Sequence, residues 1–79
     1  MARRRVKLSF SPELITEPVI HELGRRFAVV TNIRRADVTR EEGWVVLEVE
    51  GDLDDIDRGL DWVKERGVRV DPVEGELAT

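Results

Sequence analysis

VVTNIRRADVTREEGWVVLEVEG, residues 29–51, decides how this chain folds. Two runs rich in β-branched residues, 29–38 and 44–50, flank the polar stretch Thr39-Arg40-Glu41-Glu42-Gly43. Such a pattern, with Gly ending the turn, predicts an antiparallel hairpin. In its second strand Val45, Leu47 and Val49 share one face, and Trp44, Val46, Glu48 and Glu50 the other. Strict alternation in the first strand puts Val30, Asn32, Arg34, Ala36 and Val38 together. Asn32 is the single Asn of the chain, and there is no Gln. An uncharged amide both donates and accepts. It suits recognition of a small polar ligand or pairing at a strand edge, and equally a polar residue on a solvated face.

Working outward, Val6, Leu8 and Phe10 alternate with Arg5, Lys7 and Ser9, the period-two pattern of a half-buried strand. Thr16-Glu17-Pro18 opens a helix, with Thr as cap and Pro in the first turn. Val19, Ile20, Leu23 and Phe27 form its buried stripe, and Arg25 and Arg26 complement the dipole at its end. Beyond the hairpin Gly51 breaks the strand, and Asp52 caps a second helix whose first turns carry Asp54, Asp55 and Asp57. Leu53, Ile56, Leu60 and Val63 are its apolar stripe, and Gly67 its C-terminal cap. Residues 68–71 form a last short strand ended by Pro72, and 74–79 are a tail. The order strand, helix, strand, strand, helix, strand predicts an α+β, ferredoxin-like βαββαβ sandwich. Its antiparallel sheet has the order 4-1-3-2, with two helices on one face. Gly24 and Gly59 lie inside the helices, each costing about 1 kcal/mol against Ala. Close helix–helix approach is the expected compensation.

Seventy-nine residues make a single domain, 1–79, with a core at about 4–73. So short a chain buries a limited core and gains from oligomerisation. The absence of Cys excludes disulfides, thiolate catalysis and Cys-ligated clusters, and a single His excludes a His-rich metal site. No cofactor or metal is expected. Net charge −4 with 38% charged residues describes a mixed-charge surface, not a polyanion binder. No apolar run reaches a membrane span, and the basic N-terminus lacks the core of a signal peptide, so a cytoplasmic location is expected.

Helices on one side leave the other sheet face uncovered. Strict alternation gives it Val30, Asn32, Arg34, Ala36, Val38, Trp44 and Val46, rimmed by Arg5, Lys7 and Arg69. An apolar cluster with a charged rim marks an interface or ligand site more often than bare surface. The acidic series Asp52, Asp54, Asp55 and Asp57 reads as helix capping, because the places an EF-hand loop gives to Gly and Glu hold Asp57 and Val63. His21 reads as a surface residue. RNA recognition would need aromatics at the central-strand positions held by Lys7 and Val46. Acylphosphatase-like catalysis would need a Gly-rich loop where Ser11-Pro12-Glu13-Leu14 stands. Nucleic-acid binding and enzymatic activity are therefore not expected.

Phe27, Val30-Thr31-Asn32-Ile33-Arg34-Arg35-Ala36-Asp37-Val38, the apolar third strand and Gly51-Asp52 together resemble the NIL domain. That family is ferredoxin-like and named for an Asn-Ile-Leu triplet, here Asn32-Ile33 followed by Arg34. Leu8-Ser9-Phe10, Glu17-Pro18-Val19-Ile20 and Arg66-Gly67-Val68-Arg69-Val70 extend the resemblance over about residues 4–73. The third letter departs from the family, and the hairpin turn is shorter than in many transporter members.

The resemblance implies two settings. NIL domains end the ATPase subunits of methionine-import ABC transporters, where they pair as dimers, bind methionine and inhibit uptake. Others precede ferredoxin-type modules in proteins of sulfur incorporation. A standalone regulatory module sensing methionine or a related amino acid at a dimer interface is the function implied here. An adaptor for a sulfur-metabolism enzyme or transporter, without a ligand of its own, is the alternative. Asn32, Ile33, Arg34, Ala36, Val38, Trp44 and Val46 are the ligand candidates. The Asn32 amide and Arg34 would take the polar end, and Trp44 or Val46 would cover an apolar side chain.

Overall fold

The computed structural model describes residues 1–11, 18–39 and 41–73. Along them run β1 (Ala2–Phe10), α1 (Val19–Arg26), β2 (Val29–Val38), β3 (Gly43–Gly51), α2 (Leu53–Glu65) and β4 (Arg69–Pro72). The strands hydrogen-bond in the order β2-β3-β1-β4, each neighbouring pair antiparallel. Read from the other edge, this is the expected 4-1-3-2 sheet of an α+β, ferredoxin-like fold.

Alternation explains where the core sits. Val6 and Leu8 of β1 and Val45, Leu47 and Val49 of β3 are buried, and they join Val19 and Leu23 of α1 with Ile56, Leu60 and Val63 of α2. Burying each such side chain contributes about 1.5–3 kcal/mol. The helices meet at Gly59, where an added Cβ would stand 2.8 Å from Leu23 Cδ1. The expected compensation for a helical glycine therefore holds there. It does not hold at Gly24, which is exposed and whose nearest neighbours would be Thr31 and Val29 of β2 at 3.9 Å.

The helix ends differ from expectation in detail. Pro18 stands at the N-cap of α1 rather than in its first turn, and the expected cap Thr16 lies outside the described residues. Phe27 has left α1 in an extended conformation, and its ring packs against Trp62 at 6.0 Å between centroids. Asp52 is the N-cap of α2, but its side chain makes no capping hydrogen bond. Leu53, expected in the buried stripe, is 57% exposed, because the first residue of α2 precedes the part that packs on the sheet. Gly67 fulfils its reading: at φ 91° its N–H donates to the Lys64 carbonyl at 2.9 Å, and the Val68 N–H donates to the Val63 carbonyl at 3.4 Å. That pair of bonds closes the helix as a Schellman motif.

One irregularity governs the edge of the sheet. Ile33 pairs with Leu47 and Arg35 with Val46, so Arg34 is an extra residue in a β-bulge. The alternation inverts beyond it. Ala36 then lies opposite Val45 and Val38 opposite Gly43, on the helix side of the sheet. The expectation that Ala36 and Val38 share the open face with Asn32 is corrected by this single inserted residue.

Candidate functional site

The open face is a lattice of ion pairs. Register brings Arg3, Arg5 and Lys7 of β1 opposite Glu50, Glu48 and Val46 of β3. Arg5 donates to Glu48 at 2.9 Å and Arg3 to Glu50 at 3.1 Å, while Arg3 also approaches Glu48 at 3.7 Å. The Arg5 hydrogen bond holds the Glu48 carboxyl below its ordinary pKa, aided by the charges of Arg3, Arg5 and Arg34 and opposed by burial. The Lys7 ammonium sits 5.1 Å from the Trp44 ring centroid, and on β4 Arg69 donates to Asp71 at 2.9 Å. Val46 is buried and Trp44 half-buried. The expected apolar cluster with a charged rim is thus replaced by ion pairs ranged beside three apolar residues, Val30, Trp44 and Val46.

The seven candidate residues do not converge on one surface. Asn32 stands opposite Glu48 on the open face, beside Trp44 and Val46, and the Arg34 charge reaches the same carboxylate. Ile33, Ala36 and Val38 belong to the helix side. Ile33 is 55% and Val38 58% exposed there, because the helix layer leaves this end of the edge strand uncovered.

Next to Val38 the helix side opens into a cleft of about 230 Å³. Phe10, Val38, Gly43 and Val45, from three strands, form one part of its lining. Pro18, Val19, Ile20 and His21, from the start of α1, form the other. Gly43, opposite Val38, lines the cleft without adding a side chain to it. The lining is apolar apart from His21 and backbone, and α1 begins above it at Pro18, which makes no side-chain cap hydrogen bond. The first-turn N–H groups of a helix have no partner within it and favour negative charge. Such a cleft can hold an apolar side chain at one end and an anionic group at the other. Of the seven candidates only Val38 lines it. From sequence Phe10, Ile20, His21 and Gly43 were read as strand, helix-stripe, surface and turn residues and not as ligand candidates, and the bulge that turns Val38 toward them has no signature in the residues. Among the described residues no group of three or more His, Asp or Glu is placed to hold a metal ion, and no helix is long and apolar enough to cross a membrane.

Comparison with known proteins supports the same architecture. The family model of the NIL domain matches residues 4–72. No curated protein matches the chain. Among solved structures, the C-terminal domain of an ABC transporter/ATP-binding protein from Enterococcus faecalis superimposes with a TM-score of 0.78. The match covers 92% of this chain and 86% of that one at 17% identity, a likeness of fold. With the family match spanning nearly the whole βαββαβ unit, the chain belongs to the NIL domain family.

Proposed function

We propose that the chain is a non-catalytic, cytoplasmic regulatory module that binds methionine or a related amino acid beside a contact between two copies. The observation that carries this reading is the cleft between the start of α1 and the ends of the strands. Its volume is below the roughly 300–1,000 Å³ of pockets for drug-sized ligands and suits something of amino-acid size. Phe10, Val38 and Val45 offer contacts to a thioether side chain, and the first turn of α1, whose N-cap residue Pro18 makes no side-chain cap hydrogen bond, offers N–H donors to a carboxylate. Family membership and the likeness to the C-terminal domain of an ABC transporter/ATP-binding protein support a regulatory role.

Amide spectra of ¹⁵N-labelled protein titrated with L-methionine test the site. Shifts are expected at Ile20, His21, Val38 and Val45. Shifts confined to Asn32, Trp44 and Val46 would instead place the ligand on the open face. The second reading, an adaptor that contacts a sulfur-metabolism enzyme or transporter subunit, draws on the long uncovered edge of β2. It predicts no shifts with any amino acid.

A further inference from the structure

The side of the sheet away from the helices keeps two cations without an acid of their own. Its ion pairs join Arg3 to Glu50, Arg5 to Glu48 and Arg69 to Asp71. Lys7 and Arg35 lie on the same side and, among the described residues, form no ion pair. Register places them on two flanks of one residue: Lys7 of β1 and Arg35 of β2 both stand opposite Val46 of β3. Trp44 is the neighbouring residue of β3 on this side, half-buried, with the Lys7 ammonium 5.1 Å from its ring centroid. Asp37, opposite Trp44, is the carboxylate that these ion pairs leave over. The chain as a whole carries −4, so two cations bracketing an apolar strip run against its overall balance of charge.

We infer that this strip docks an amphipathic helix of a partner protein, its apolar stripe laid along β3 and acidic residues on both its flanks. Neighbouring strands lie about 4.7–4.9 Å apart, which sets β1 and β2 about 10 Å from each other across β3. That is about the width of a helix with its side chains. A helix lying along β3 rests its stripe on Trp44 and on the methylene stems of Lys7 and Arg35. Its flanking carboxylates then meet the Lys7 ammonium on one side and the Arg35 guanidinium on the other. Trp and Arg are residue types that anchor interfaces, and cations on both flanks fix the register and reject a basic helix. A continuous polyanion such as single-stranded nucleic acid fits less well, because Asp37, Glu48 and Glu50 stand on the same side of the sheet. A second copy of this face would set Lys7 and Arg35 against cations of the same kind. The cleft at the start of α1 opens on the helix side, so this docking stands apart from the amino-acid site.

The test titrates the whole ¹⁵N-labelled chain with a stapled helix of about four turns, Leu along one stripe, Glu on both flanks and Ala elsewhere. A twin helix carries Lys in place of Glu. The acidic helix is expected to move the amide signals of Lys7, Arg35, Trp44 and Val46 saturably, and the basic twin is not. K7E and R35E are each expected to weaken the acidic helix about tenfold or more. Arg35 is exposed, so R35E keeps the test open should K7E disturb the seat of Trp44. D37N removes the competing carboxylate and should strengthen binding about two- to threefold, and K7E/R35E should prefer the basic twin. R25E, on α1, changes the net charge as much as R35E does and should leave the affinity within about twofold. Equal losses in R25E and R35E, or acidic and basic helices bound alike, overturn the proposal. So does an acidic helix that moves none of the four signals of the folded parent at millimolar concentration. Oligothymidylate moving those signals where the acidic helix does not overturns it in favour of a polyanion. Titration with L-methionine reads Ile20, His21, Val38 and Val45 instead, so either reading can fail without the other.

Discussion

A methyl group on Gly59 would stand 2.8 Å from Cδ1 of Leu23, which is fully buried, and 3.5 Å from the Phe27 ring. The Leu23 side chain would have to shift within the core to admit it, while the Phe27 ring stands at ordinary contact distance. Gly59→Ala is therefore expected to destabilise the fold by about 1–3 kcal/mol from overpacking, despite the better helix propensity of Ala. Gly24 is exposed and would gain ordinary contacts at 3.9 Å. Gly24→Ala should stabilise by up to about 1 kcal/mol. Urea unfolding of the two variants reads both signs. Sequence suggested that both glycines serve close helix approach, and only one does. The difference lies in which face of α1 meets α2, which follows from Leu23 and Phe27 rather than from the glycines.

At the scale of elements, the β1 and β3 ladder presents its charges as a titratable lattice. The Glu48 carboxyl is held below its ordinary pKa in the folded chain by Arg5 first, then by the neighbouring arginine charges. A carboxyl with a lowered folded pKa contributes stability above its unfolded pKa, and this is lost as pH falls through the folded one. Stability should therefore decline as pH drops below about 4. Thermal unfolding between pH 6 and 3 should show a shallower decline for Glu48→Gln than for the parent. Added salt should narrow the gap only in small part, since the part-buried Arg5–Glu48 pair is screened less than an exposed one. Element identity and strand order were legible in the residues because Val6, Leu8, Val45, Leu47, Val49, Ile56, Leu60 and Val63 keep clean periods of two or of three and four. The edge strand was legible only as far as Ile33. An inserted Arg34 between two polar stretches changes no hydrophobic pattern, so nothing in the residues announces that Ala36 and Val38 change sides.

For the whole molecule, that one residue separates two surfaces. The open face carries Asn32, Trp44 and Val46 beside the ion pairs of Arg3 and Arg5 with Glu48 and Glu50, while Val38 turns into the cleft at the start of α1. The cleft draws on β1, α1, β2 and β3 at once, and such a convergence exists only after the sheet has assembled. Sequence could supply Val38 and the family, and packing supplied Phe10, Ile20, His21 and Gly43. The central claim, an amino-acid-sized ligand held in this cleft, is tested most directly by calorimetric titration of L-methionine into the parent chain and Val38→Asp. Val38 is more than half exposed, so the variant should fold while losing an apolar wall. Saturable heat at one ligand per chain for the parent, weakened about tenfold or more in the variant, is the predicted result. A folded parent giving no heat at millimolar methionine, or a variant binding as tightly as the parent, would contradict it.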